Sequence, residues 1–227
     1  MTSHGKVIKI KSQKKVNKVN GVLTRLRYFL PRHTLKNIYN SLVLPHFQYG
    51  ITLWGANCSR LEKLQKQCIR KINQVKRHNG HTDRLFKNSE LLKISDIHKL
   101  FSLKFYYRYA RQELGNFFLN DIFPRNSSFH RYATTRSNEF HVLTHHSPQV
   151  KPTIRYQIPI ILPSIPTEIL AKIETHSLKS FSKHVKLFFL DRYSEMCPIG
   201  PPDCYVCSEK TPPVPVEILE PPTVSYG

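Results

Sequence analysis

Apolar side chains recur at three- and four-residue steps through much of the first half of the chain, which is the spacing of an amphipathic helix. One series covers residues 16–30 and stops before Pro31, and a second covers residues 35–43 and stops before Pro45. A third series covers residues 59–75. Because proline cannot continue a helix interior, the pattern predicts three helices separated by prolines and loops.

The third series carries a helix-start signal and a basic outer side. Ser59 and Glu62 have the spacing of a capping box, so we expect the helix to begin there. The basic side chains that fall outside its apolar stripe are Lys63, Lys66, Arg70, Lys71 and Arg77. Such a side can follow phosphates or can simply be solvated, and the pattern fits both interpretations.

The composition and apolar spacing of the sequence change after Pro124, which predicts a boundary between two parts of the chain. Residues 14–123 indicate a helical bundle. Residues 124–195 mix turns, prolines and a final helix and predict a partly extended segment with one or more short strands. Residues 1–13 form a basic arm, and residues 196–227 are too rich in proline to fill a core, so we expect disorder there. The predicted fold is therefore mainly α.

The charge balance favours polyanionic partners. Lys and Arg number 35 against 15 Asp plus Glu, a net charge of +20, and no acidic residue precedes Glu62. Nucleic acid is the favoured partner, an anionic membrane surface comes next, and a solvated basic surface is the plain alternative. No apolar run is long enough to span a bilayer and no secretory signal is evident, so we expect the nucleus or the cytoplasm and no secretion.

A series of short motifs between residues 21 and 70 points to a family. The motifs are Gly21-Val22-Leu23-Thr24-Arg25-Leu26, Leu35-Lys36-Asn37-Ile38-Tyr39, Leu44-Pro45-His46-Phe47-Gln48-Tyr49-Gly50, Leu53-Trp54-Gly55, Leu64-Gln65-Lys66-Gln67 and Ile69-Arg70. In this order they resemble the region just beyond the catalytic palm of reverse transcriptases from non-LTR (LINE-type, jockey-like) retrotransposons.

The resemblance extends over about residues 14–195, with one departure. A final helix with Ser177-Leu178-Lys179-Ser180-Phe181-Ser182-Lys183 and Leu187-Phe188-Phe189-Leu190 is similar to the usual C-terminal end of the family. Relatives carry a Trp-Asn pair before a Leu-Pro turn, where this chain reads Ile160-Ile161-Leu162-Pro163-Ser164-Ile165-Pro166. The loss of a large ring predicts looser packing or decay of that element.

The resemblance implies a thumb and post-thumb region of an RNA-directed DNA polymerase, which grips the RNA or DNA template–primer duplex beside a palm that this chain lacks. On that interpretation the phosphate-contact candidates are Arg25, Arg27, Lys63, Lys66, Arg70 and Lys71. Lys66 and Arg70 match the family pattern, whereas the others follow from charge and helix geometry alone. The alternative is a non-catalytic basic interaction module or a decayed, non-functional transposon-derived protein.

The aspartates that could hold catalytic metal ions are isolated from one another along the sequence. Nucleotide polymerisation needs two metal ions held by clustered carboxylates. The aspartates are Asp83, Asp96, Asp121, Asp191 and Asp203, with no Asp-Asp pair and no Asp-x-Asp. The Tyr/Phe-x-Asp-Asp turn of the resembled family is missing, so we expect this chain not to be an enzyme by itself.

Three cysteines near the C-terminus give the remaining candidate site. Cys204 and Cys207 have a spacing that lets two thiolates bind one Zn²⁺, and Cys197 could be a third ligand. A fourth ligand is lacking nearby, so free cysteines in the tail are the favoured interpretation over a zinc site. We otherwise expect no cofactor in this chain.

Overall fold

The structure is a computed structural model. It describes residues 3–56, 58–75, 81–115, 122–129, 132, 135, 137–142, 150 and 153–193, with side chains from residue 7 onward. The helices are α1 (Ser3–Leu26), α2 (Arg32–Leu42), α3 (Leu44–Gln48), α4 (Ile51–Trp54), α5 (Ser59–Ile72), α6 (Asp83–Asn88), α7 (Ile94–Ala110), α8 (Ile154–Ile161), α9 (Thr167–Thr175) and α10 (Leu178–Asp191). The mainly α class predicted from apolar spacing is confirmed.

Extended structure is scarce in the segment where short strands were expected. In the described parts of residues 124–195, the backbone pairing is limited to one isolated antiparallel bridge between Arg125 and Phe140. The chain there instead forms short helical elements, including 3-10 turns at Asn126–Ser128 and Leu162–Ser164.

The first helix is longer than its apolar pattern predicts. α1 begins at Ser3 and so includes residues 3–13, which fall within the arm (residues 1–13) that the pattern separates. Ser12 and Val16 are both buried one turn apart on the same side. The apolar periodicity is interrupted by the buried serine, which is why the sequence alone does not reveal that the helix continues.

The start of α5 differs from the predicted capping box. Cys58 is the N-cap residue, and its carbonyl accepts a hydrogen bond from the Glu62 amide at 2.9 Å. Burial, the largest effect, raises the pKa of the Cys58 thiol to about 12, so the thiol stays protonated. It donates to the Glu62 carboxylate at 3.2 Å. The carboxylate therefore bonds a thiol, and Ser59 is the first residue of the helix.

α1 and α5 pack against each other and run in the same direction. In the C-terminal halves of both helices, Asn20 Nδ2 donates to Gln67 Oε1 at 2.8 Å and Lys71 Nζ donates to the Asn20 carbonyl at 2.9 Å. Beyond the C-terminal ends of both helices, Gln74 Nε2 donates to the Arg27 carbonyl at 3.3 Å. Rising numbers on α1 thus face rising numbers on α5, which makes the pair parallel.

Gln65 is the polar centre of the bundle. Its side chain is 1% exposed, and its Nε2 donates to Tyr39 Oη at 3.0 Å and to the Leu92 carbonyl at 2.9 Å. Its Oε1 accepts from the Ile94 amide at 2.8 Å. One buried side chain therefore joins α5 to α2 and to the start of α7, and all of its bonds are made inside the core.

Trp54 is a core anchor. The ring is completely buried, and its Nε1 donates to the Tyr49 carbonyl at 2.9 Å. The bond satisfies the indole donor, which would otherwise be unpaired inside the protein.

The helices after residue 153 share a core with the preceding bundle. The Tyr193 hydroxyl accepts from the Lys93 amide at 2.8 Å and donates to Asp96 Oδ2 at 2.8 Å. Tyr107 Oη donates to the His176 carbonyl at 2.6 Å. The buried apolar residues of both parts belong to one cluster, and the two parts meet where α7 contacts α8 and α10.

The segment in which looser packing was expected is well packed, so that expectation is wrong. Four apolar side chains in and after α8 are buried: Ile158, Ile161, Leu162 and Ile165. Branched aliphatic side chains occupy this part of the core, so the absence of a large ring does not leave it open. The expected final helix is present as α10, and it begins after Ser177, whose side chain accepts from the Ser180 amide.

Candidate nucleic-acid interface

The outer side of α1 is cationic along most of its length. Its exposed basic residues on one side are Lys11, Lys14, Lys18 and Arg25, which we call the α1 stripe. They repeat at three-, four- and seven-residue steps, which places them on one side of a helix. The opposite side carries the buried Val16 and Leu23. Sequence reasoning identified only Arg25, although the absence of acidic residues before Glu62 was a usable signal for the other three.

A second cationic stripe lies on α5 and consists of Lys63, Lys66 and Arg70, which we call the α5 stripe. The steps of three and four residues place them on one side, away from the buried Gln65. Lys63 and Lys66 are exposed. Arg70 is half-buried, and desolvation lowers the pKa of its guanidinium, which nevertheless remains protonated at neutral pH.

Lys71, a fourth predicted contact on α5, is directed toward α1. Its ammonium donates to the Asn20 carbonyl and to Asn20 Oδ1, the latter at 2.6 Å. Burial lowers the pKa of Lys71 most, and the positive charge of Arg27 lowers it further. The ammonium of Lys71 therefore has a structural task, joining α5 to α1.

Arg27 lies in the turn after α1 and interacts with its neighbour. Its guanidinium lies 4.6 Å from the centre of the Tyr28 ring and donates to the Tyr28 hydroxyl. Arg25, in contrast, is exposed on α1. Of the six predicted contacts, Arg25, Lys63 and Lys66 are thus fully presented to solvent, while Arg27, Arg70 and Lys71 are partly covered.

The parallel packing brings the two stripes to the same height. Asn20 lies beside Gln67, so Lys18 is about level with Lys66, and Lys14 is about level with Lys63. The C-terminal ends of both helices also lie at one end of the pair. The partial negative charge of those helix ends stabilises cations there, which gives part of the basic charge a structural reason.

A cavity of about 780 Å³ adjoins the α1 stripe. Its lining residues are Val7, Ile8, Lys11, Ser12, Lys15, Pro45, His46 and Tyr49. Burial lowers the pKa of His46, and the charge of Lys15 lowers it further, so both effects favour the neutral imidazole. The positive charge of this cavity therefore comes from its lysines.

The carboxylates that the structure describes near α7 are engaged in structural bonds. Lys93 Nζ donates to Asp83 Oδ2 at 2.7 Å, and Asp96 accepts from Tyr193 and from Lys99. Within the described ranges, no group of three or more His, Cys, Asp or Glu side chains is arranged to hold a metal ion.

The cysteine candidates for zinc, Cys197, Cys204 and Cys207, lie outside the described residues. The cysteines that are described, Cys58 and Cys68, are buried free thiols. Burial raises the pKa of each to about 12, which makes both poor metal ligands and poor nucleophiles at neutral pH.

None of the described helices has both the length and the apolar character of a membrane span. Comparison of the chain with protein-family models, with curated proteins and with solved structures gave no match. The geometry of the two cationic stripes is therefore the feature of this chain that points to a function.

Proposed function

We propose that this chain binds nucleic acid without sequence preference through the α1 and α5 stripes, as the thumb and post-thumb portion of a non-LTR retrotransposon reverse transcriptase. The observation that carries the proposal is the parallel packing of two helices whose outer sides are cationic at the same height. In this role the protein holds a template–primer duplex while a separate palm performs the chemistry.

The dimensions of the stripes suit a nucleic-acid backbone. From Lys11 to Arg25, the α1 stripe rises about 21 Å at about 1.5 Å per residue. That length corresponds to about six steps along one strand of a duplex, at about 3.4 Å per step. Lysine and arginine at such positions contact phosphates and position the duplex, but they do not identify its bases.

The integrity of the core supports a functional fold over a decayed one. Gln65 makes all of its hydrogen bonds within the protein, and Ile158 and Ile161 remain buried in the segment that departs from the family pattern. Decay of a sequence introduces cavities and unpaired polar groups, whereas Gln65 is fully hydrogen-bonded and these isoleucines are buried.

A double variant on α5 tests the proposal. Changing Lys63 and Lys66 to Ala removes two exposed cations, so the slope of log affinity against log salt should fall in magnitude by about two. We expect the loss in affinity to be about equal for duplexes of unrelated sequence, measured by fluorescence anisotropy across a salt series.

The matched control is Lys179→Ala with Lys183→Ala on α10. These lysines are also exposed and one turn apart, so the total charge falls equally while both stripes stay intact. The proposal requires the control to keep the wild-type slope. An equal fall in the control would attribute binding to net charge alone, and a loss restricted to one sequence would contradict backbone recognition.

A further inference from the structure

Two adjacent aromatic rings project from the turn between α1 and α2. Tyr28 is 70% exposed and Phe29 is 82% exposed. They follow directly on the end of the α1 stripe, since Arg25 lies three residues before Tyr28. Exposure of large apolar rings to water is unfavourable, so an adjacent exposed pair indicates a surface that contacts a partner.

The turn that carries the rings is fixed by a contact from beyond α5. Gln74 Nε2 donates to the carbonyls of Arg27 and Leu30, each at 3.3 Å. Gln74 itself has φ +57°, a left-handed conformation that is unfavourable for a residue with a side chain. The Phe29 amide also donates to the Leu26 carbonyl at 3.0 Å. The rings are thus presented from a turn held at both of its ends.

Arginines flank the rings in sequence and one of them contacts Tyr28, which indicates the chemistry of the partner. The guanidinium of Arg27 lies against the Tyr28 ring, and Arg25 and Arg32 are exposed on either side of the turn in sequence. Aromatic rings interleaved with arginines bind single-stranded nucleic acid, because bases stack on the rings while the cations contact phosphates. Paired bases inside a duplex do not offer their faces in this way.

We propose that Tyr28 and Phe29 form a stacking platform for unpaired bases, placed where a strand that follows the α1 stripe leaves the duplex. The inference rests on the proposed function and adds a second substrate feature to it, a single-stranded segment next to the duplex. The stripes contribute the salt-dependent part of binding, and the platform contributes a part that depends on the bases.

The test compares two probes with equal phosphate content, an oligothymidylate and an abasic oligomer of the same length, both bound to the full chain. Changing Tyr28 and Phe29 together to Ala should weaken oligothymidylate binding by about tenfold or more, from the usual effect of losing a base–aromatic stack. Binding to the abasic oligomer and the salt slope should not change, because no cation is lost. Tyr28→Phe keeps the ring and should retain wild-type affinity.

Tyr132→Ala is the matched control, since that ring is also 82% exposed and lies in another part of the chain. It should leave both probes unaffected, and thermal melting should show that the Tyr28 and Phe29 variant is as stable as wild type. An equal loss with the abasic oligomer, or no loss with either probe, overturns the platform. The platform is also overturned if the Tyr28 and Phe29 variant loses binding to phosphatidylserine vesicles but keeps its binding to oligothymidylate. That result would assign the rings to a membrane surface.

The two proposals fail in distinguishable ways. If the Lys63 and Lys66 variant weakens binding while the Tyr28 and Phe29 variant does not, only the platform is wrong. If the wild-type chain shows no salt-dependent binding to either oligomer or to duplexes, the proposed function is wrong, and the platform is wrong with it.

Discussion

His98 shows how a single residue acquires a property that its sequence position does not reveal. It lies in α7 with 4% of its surface exposed, and its Nε2 has no hydrogen-bond partner among the described residues. Burial lowers the pKa of the imidazole to about 4, and the charge of Lys99 contributes further. The chain has 12 histidines, and nothing in the local sequence marks this one as buried.

The depressed pKa of His98 predicts a loss of stability on mild acidification. Between about pH 6.5 and pH 4 the unfolded chain protonates this histidine while the folded chain does not, so the free energy of unfolding falls as the pH falls through that window. The full effect is about 3 kcal/mol, from a pKa difference of about 2.5 units. Urea unfolding at a series of pH values measures it.

Two glutamine substitutions isolate the contribution of His98. His98→Gln should remove most of this part of the pH dependence, whereas His33→Gln, at an exposed site in α2, should leave it as in wild type. Equal pH dependence in wild type and His98→Gln would contradict the account.

At the scale of elements, the existence of the helices could be predicted and their ends could not. The spacing of apolar residues identified the later part of α1 and the helices that became α2 and α5, because each has a buried stripe with the helical period. The ends depend on contacts that are distant or atypical. Cys58 replaces the expected serine cap, and the buried Ser12 conceals the early turns of α1.

The close approach of α4 to α7 at Gly55 predicts that a side chain added there destabilises the protein. A Cβ added at Gly55 would lie 2.5 Å from His98 Cδ2 and 2.5 Å from the Ile51 carbonyl oxygen. Gly55→Ala should therefore destabilise the protein by about 1–3 kcal/mol, since the backbone oxygen cannot move away freely. Differential scanning calorimetry or urea unfolding measures the change.

Gly21→Ala is the matched control within α1. A Cβ at Gly21 meets nothing within 4 Å, and the residue is exposed inside a helix. The substitution should stabilise the protein by about 0.5–1 kcal/mol, because alanine has the higher helix propensity. A destabilising Gly21→Ala, or a neutral Gly55→Ala, would show that the packing of these helices differs from that described.

For the whole molecule, the candidate site was predictable where it depends on one helix and unpredictable where it depends on two. Lys63 and Lys66 lie outside because their own helix buries the opposite side. Lys71 has the same charge, but its task is set by Asn20 on another helix, 51 positions away in sequence. The exposed Tyr28 and Phe29 were also missed, since periodicity alone assigns such rings to a core.

The measurement that tests the central claim most directly is the salt dependence of wild-type affinity for two duplexes of unrelated sequence. We expect log affinity to fall linearly with log salt, with a slope of about −3 if one stripe engages and about −6 if both do, and with closely similar lines for the two duplexes. An affinity that does not respond to salt, or binding to only one of the duplexes, would contradict recognition of the nucleic-acid backbone by the α1 and α5 stripes.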